Sequence, residues 1–157
     1  MMIRVLGLDP GLRNTGWSIL EKDGFKIRFI AAGVLHSNEK NALPERLVEL
    51  HQGVLKIIES YEPDEAAIEE IFVNMNPNST LKLGQARAAV MLAPALKSLR
   101  VGEYTPNQIK KMIVGTGHAD KAQVDMMVRS LLKTVPEKIP PDVSDAIGIA
   151  LCHLFMR

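Results

Sequence analysis

Four carboxylates in this chain, Asp9, Glu69, Asp142 and Asp145, stand where a fold could bring them together. Asp9 closes the apolar run that begins at Ile3, and Pro10-Gly11 turns the chain directly after it. Glu69 closes a second short run, Ala66-Ala67-Ile68. An acid at the end of a strand buried on both faces is costly unless it is paired or bound to a cation. Asp9 alone leaves two readings open, a ligand or a residue that hydrogen-bonds its own turn, as Asp-Pro-Gly segments do well. A second strand-end acid weighs toward the first reading. Asp142 and Asp145, three residues apart at the start of a helix, share one face. Acids in a first turn also favour the positive end of the helix dipole, so for this pair too the structural alternative stays open.

Brought together, the four would make a site of hard oxygen donors with no His or Cys cluster beside them. Such a donor set suits Mg²⁺, with Mn²⁺ able to substitute, and not zinc. Mg²⁺ keeps waters and binds substrate phosphates, so the chemistry implied is phosphoryl transfer. A pair of such ions about 3.5–4 Å apart would serve the attacking and leaving oxygens of an in-line displacement. No Walker A loop, GxGxxG fingerprint or Ser–His–acid order competes for the site.

The elements that must position these acids follow from pattern. Residues 3–9 and 15–21 read as strands, Lys22-Asp23-Gly24 as a hairpin turn and Phe25 to about Leu35 as a third strand. Apolar residues then recur near a 3.6 period through Leu47, Leu50, Val54, Ile57 and Ile58, a helix ending around Tyr61 to Pro63. His51 on it reads as a solvated surface residue without a role. Residues 66–68 form a central strand of a βαβ unit. Ser79 is a plausible cap for a long helix, 80–100, rich in small residues; Gly84 and Pro94 predict close packing or a break near Pro94. A strand at 101–105 and helices at 106–114, 119–134 and 142–155 complete the chain. The Gly-rich connection 115–118, flanked by Lys110, Lys111 and Lys121, is a candidate phosphate contact, or simply a loop between solvated helices.

Composition bounds the rest. A chain of 157 residues, 46% hydrophobic and 24% charged, fits one globular domain with a real core. The net charge of +1 hides an asymmetry: 8 Lys/Arg face 12 Asp/Glu over residues 1–79, whereas 9 face 3 over 80–133. A basic middle against an acidic first half suggests a surface for a polyanion and another for cations. No apolar run approaches the ~20 residues of a membrane span, and the N-terminal run, carrying Arg4, is no signal peptide. The single cysteine, Cys152, lies in an apolar helical pattern, which predicts an inert core thiol and fits a reducing cytoplasm.

An ordered set of segments carries a resemblance. It comprises Gly7-Leu8-Asp9-Pro10-Gly11 with Thr15-Gly16, Ala67-Ile68-Glu69-Glu70 with Phe72, and Leu81-Lys82-Leu83-Gly84-Gln85-Ala86-Arg87. It continues with Val114-Gly115-Thr116-Gly117 followed by Ala119, Lys121, Gln123 and Val124, and ends with Asp142 and Asp145-Ala146. In this order, over nearly the whole chain, they resemble the RuvC-type Holliday junction resolvases of bacteria. The resemblance implies an α/β, RNase H-like fold, a five-stranded mixed sheet flanked by helices, as one nuclease domain over 1–157. It implies a homodimeric endonuclease that cuts two opposed strands of four-way junction DNA in recombination and repair, with some sequence preference. The family's metal-binding catalytic acids fall on Asp9, Glu69, Asp142 and Asp145, its junction-directed aromatic on Phe72, and its DNA-assisting basic residues on Lys110 and Lys121, with Arg87 beside them. Mg²⁺, two ions per site, and a branch-migration helicase partner come with the resemblance, as does the absence of any membrane. Ala88, where many relatives carry Gly, and the stop at Arg157 depart from it without touching the four acids.

Overall fold

The structure, a computed structural model, describes residues 1–70, 76–115 and 120–157. Three strands, β1 (Met2–Asp9), β2 (Asn14–Asp23) and β3 (Lys26–His36), form an antiparallel meander. Helix α1 (Leu43–Tyr61) crosses to β4 (Glu65–Glu69), which pairs parallel with β1; α2 (Pro77–Leu96) crosses to β5 (Arg100–Tyr104), parallel with β4. Three further helices follow, α3 (Pro106–Val114), α4 (Lys121–Leu131) and α5 (Pro141–Met156). The sheet order is β3-β2-β1-β4-β5. This is the five-stranded mixed sheet flanked by helices that the sequence predicts.

Side-chain alternation divides β1 and β4 between two cores. Leu6, Leu8, Ala66 and Ile68 face α1 and α2 with Leu50, Val54, Val90 and Ala93. Val5 and Ala67 face the other way, toward α5 with Ile147, Ala150 and Leu151. Asp9 and Glu69, an even number of residues from Val5 and Ala67, therefore belong to the α5 face.

The hairpin turns through Gly24 at φ +62°, and Phe25, predicted to begin β3, lies fully exposed in the turn. The long helix starts earlier than predicted. Its cap is Asn76, not Ser79, because the Asn76 carboxamide oxygen accepts from the amides of both Asn78 and Ser79, and Pro77 then sets the first helical turn. The same helix ends at Leu96 rather than Arg100, two residues past Pro94. Pro94 itself is buried, in the last turn. His51 is half-buried rather than solvated, and its Nδ1 lies 2.9 Å from the Ala89 carbonyl, tying α1 to α2. Cys152 is fully buried, and burial pushes its thiol up to about 11, the inert thiol expected.

Candidate active site

Helix α5 brings the acids together because two strands make room for it. At Gly16 of β2 a Cβ would stand 2.1 Å from the Asp142 carbonyl oxygen, and at Gly7 of β1 it would stand 2.2 Å from that of Ala146. Between them the Ser18 hydroxyl, fully buried, donates to the Ala146 carbonyl at 2.9 Å. Gly16 pairs with Asp9 and Ser18 with Gly7 across the two strands, so this shallow groove runs along the α5 face. The first turn of α5 is thus laid directly over the end of β1. Glycine within a strand marks such a close approach, and that is the signal by which Gly7 and Gly16 could be recognised from sequence.

Asp9, Asp142 and Asp145 each offer a carboxylate oxygen, and these atoms all lie within 4.8 Å of one another. The Pro10–Gly11 turn is closed by Thr15, whose hydroxyl donates to the Gly11 carbonyl at 2.9 Å and accepts from the Gly11 amide at 3.2 Å. Asp9 is thereby not needed to hold its own turn. Burial, then the charges of Asp145, Glu69 and Asp142, push the Asp9 carboxyl up to about 8. Glu69, at the end of the neighbouring strand, is also raised, first by burial and then by Asp145, against the opposing pull of Lys110 and Lys121.

Lys121, the first residue of α4, places its ammonium 3.3 Å from Asp145. Lys110 on α3 shares with Glu69, Asp145 and Lys121 the lining of a cavity beside the acids. Arg87 on α2 turns inward: its Nε donates to the Glu69 carbonyl at 3.0 Å, and its guanidinium pairs with Glu103. Phe72 and the Gly-rich connection from Thr116 onward lie outside the described residues.

The donor set fits a hard divalent cation. Three carboxylate oxygens converge with one neighbouring ammonium, and burial followed by the neighbouring carboxylates raises the Asp9 carboxyl.

A family model described as crossover junction endodeoxyribonuclease RuvC matches residues 5–153. The chain belongs to the RuvC family. Curated RuvC proteins of Rhodospirillum rubrum and Paramagnetospirillum magneticum are 54% and 52% identical to it, over 99% of this chain and 91% and 93% of theirs. Among solved structures, Thermus thermophilus RuvC in complex with a Holliday junction substrate superposes with a TM-score of 0.91 at 32% identity, covering 98% of this chain and 94% of that one. The yeast mitochondrial resolvase Ydc2, at 16% identity and a TM-score of 0.70, shares the fold. Membership of the RuvC family makes the chain a nuclease of the crossover junction endodeoxyribonuclease class, with the RNase H-like fold expected of it. No helix among the described residues is long and apolar enough to cross a membrane.

Proposed function

We propose that this RuvC-family enzyme resolves four-way DNA junctions by paired symmetric nicks, hydrolysing each phosphodiester at the cluster of Asp9, Asp142, Asp145 and Glu69. The single observation that carries the site assignment is the approach of three carboxylates to within 4.8 Å of one another at the ends of β1 and α5.

Mg²⁺, with Mn²⁺ as a substitute and two ions per site, is the cofactor this donor set suits; when bound it polarises the phosphodiester and lowers the pKa of the attacking water. Asp9 is the central ligand, held at a strand end by a turn that Thr15 closes. Asp142 and Asp145 approach it from α5 and Glu69 from β4, so the ligands come from three elements of one core. Glu69 is fixed from behind, since Arg87 holds its carbonyl. Lys110 and Lys121 offset part of the acidic charge and would meet the DNA phosphates beside the cut. Phe72 completes the set of DNA-directed residues that the family likeness assigns, and Arg87, turned onto the Glu69 carbonyl and Glu103, serves it from beneath the site.

A homodimer would present two such sites to the two related strands of a junction. In support, α2 exposes Leu81, Leu92 and Leu96, large apolar side chains on the small-residue helix. The branch-migration helicase as partner, a cytoplasmic location and the extent of one nuclease domain over 1–157 belong to the same reading.

The test is incubation with a synthetic four-way junction, a linear duplex and an RNA–DNA hybrid, with and without Mg²⁺. Paired nicks in the junction alone, requiring the metal, are expected; equal cutting of the hybrid would reassign the substrate. Junction binding should weaken linearly on a log–log salt plot, as phosphate contacts require. Binding indifferent to salt would remove the basic residues from the interface.

A further inference from the structure

Helix α4 carries Lys121 at its first position and, among the described residues, buries only Val128, in its second half. The half that carries Lys121 borders open space on two faces. A cavity of about 220 Å³ separates Lys121 and Val124 from residues of α3 and α5. A cleft of about 240 Å³ lies between Ala122, Asp125 and Arg129 on one side and Ile139 and Pro141 on the other. The capping box of Asp120 and Gln123 closes the first turn within the helix itself. The seat of this half on α5 is therefore set by polar bonds more than by packing.

Three side chains at successive turns make those bonds. Lys121, Asp125 and Arg129 stand four residues apart, on one face of the helix. Lys121 pairs with Asp145 at 3.3 Å. The Arg129 guanidinium donates to the Pro136 carbonyl at 3.0 Å, in the connection that leads into α5. Asp125, between them, has both oxygens engaged: one accepts from the Ser144 hydroxyl at 3.0 Å, the other from Arg129 Nε at 3.1 Å. Ser144 is 6% exposed and lies between Asp142 and Asp145, about 100° around the helix from Asp145. A helical serine commonly bonds back to a carbonyl of its own helix; this one reaches across to α4 instead. Its bond ties α4 to the very turn of α5 that supplies two of the acids.

We propose that Asp125 is a positioning residue for the cleavage reaction: clamped by Ser144 and Arg129, it holds α4 where Lys121 meets Asp145 and the phosphate beside the cut. This rests on the reading of the acidic cluster as the cleavage site, with Lys121 attending it. Asp125 acts through Lys121, without itself holding metal or DNA. Its own charge has the contrary effect, since a carboxylate near the cut repels DNA and attracts a divalent cation. Removing it as a charge alone tightens junction binding and weakens Mn²⁺ binding. Removing it as a clamp on Lys121 does the reverse on both counts, so the two accounts differ in sign.

The experiment is a double-mutant cycle on the full chain, with Asp125→Asn and the charge-neutral Ser144→Ala each made in the wild-type and Lys121→Gln backgrounds. Mn²⁺ affinity is read by calorimetry without DNA, metal-free junction binding across a salt series, and nicking in single turnover. In the wild-type background both variants should bind Mn²⁺ about twofold or more tighter and nick about three- to tenfold more slowly. They should also bind the junction more weakly, with a salt slope reduced by up to about one. In the Lys121→Gln background neither should shift affinity or rate by more than about 1.5-fold. Tighter junction binding with weaker Mn²⁺ binding in Asp125→Asn would overturn the proposal, because Asp125 would then act by its own charge. Losses that add to those of Lys121→Gln would overturn it too, since general loosening of the fold does not depend on that ammonium. Ser144→Ala decides alone should Asp125→Asn not fold, because it leaves every charge in place and alanine suits a helix. The underlying reading fails separately. An Asp9→Asn enzyme that still nicks, or a Lys121→Gln protein with wild-type Mn²⁺ and junction binding, removes that reading and the clamp with it. A Lys121→Gln effect that neither Asp125→Asn nor Ser144→Ala reproduces removes only the clamp.

Discussion

Helix α5 meets the same strand, β4, with its two ends, and the two meetings have opposite electrostatic outcomes. Glu65 and Glu69 lie four residues apart on one face of β4, about 13 Å at a strand's rise, and α5 spans a similar length, about 12 Å, between Asp145 and His153. At the C-terminal end Glu65 is saturated. Arg157 donates to it at 2.8 and 3.2 Å, and His153, fully buried, sits 2.7 Å away through Nε2. Because Glu65 accepts only, His153 Nε2 donates to it, and Nδ1 shares a hydrogen bond with the Tyr104 hydroxyl at 2.6 Å. These partners, Arg157 first, hold Glu65 at about 2, whereas burial and three carboxylates hold Asp9 at about 8. One end has its cations built in. The other gathers acids and supplies only lysines at its edge, which is what a site completed by an external cation looks like.

The largest effect comes from removing the acid that most needs that cation. Asp9→Asn should lower junction nicking by on the order of a thousandfold or more while leaving junction binding within a fewfold, measured by single-turnover cleavage and by metal-free gel shift. Unchanged cutting would place Asp9 in folding alone. The same variant should stabilise the metal-free protein. A carboxyl raised from 3.8 to about 8 contributes stability that is present in acid and lost as pH rises through that window. At pH 8 the gain should be about 1–3 kcal/mol, discounted from the ~1.4 kcal/mol per pKa unit. A metal-free melting temperature that is lower for Asp9→Asn at pH 8 would contradict the assignment of strain to this end. Metal binding must also displace the Asp9 proton, so Mn²⁺ affinity should rise with pH up to about 8, with proton release visible by calorimetry.

Second in size is the groove that delivers the acids. Gly16→Ala drives a Cβ against the Asp142 backbone, which cannot swing away as a side chain can. It should cost about 1–3 kcal/mol and, by displacing Asp142 from Asp9, roughly a hundredfold in nicking. Activity within a fewfold of wild type would show that α5 needs no such close seat.

Much of the site was legible because it follows from local pattern. Apolar runs ending in Asp9 and Glu69 place acids at strand ends, and the 142/145 spacing places two more on one helix face. That the three aspartates share a space of 4.8 Å depends on β1, β2 and α5 meeting, with Gly16 and Asp142 126 positions apart in the chain, and no local period records that. The opposite end of α5 was invisible for the same reason, since Glu65, Tyr104 and His153 gain their meaning only from one another. Asn76 displaced Ser79 as a cap by a smaller margin: both are good caps, and Pro77 decides which one precedes the first helical turn.

The third prediction tests the saturated end. Glu65→Gln leaves His153 buried with a weaker acceptor and should cost about 1–2 kcal/mol, read from denaturant midpoints at pH 7. A carboxyl held down at about 2 contributes stability present above its ordinary value of 4.5 and lost as pH falls toward 2. The variant should therefore lose the limb below its ordinary value of 4.5 while keeping the decline between about 3.8 and 8 that Asp9 causes. A flattened decline between about 3.8 and 8 instead would mean that the two ends of α5 are not independent.

The smallest effect belongs to Lys121, which brings to the acidic end a mild version of what Arg157 brings to the other. Its pair with Asp145 is largely solvated, at 63% and 38% side-chain exposure, so Lys121→Gln should change stability by less than about 0.5 kcal/mol. Its charge nonetheless opposes a cation entering beside Asp145, and its removal should tighten Mn²⁺ binding severalfold in calorimetry without DNA. Junction binding should weaken at the same time, with the salt slope reduced by about one. The opposite signs separate the two roles of this ammonium: a purely structural lysine would move neither, and weaker Mn²⁺ binding in Lys121→Gln would show that it organises the acids rather than competing with their cation.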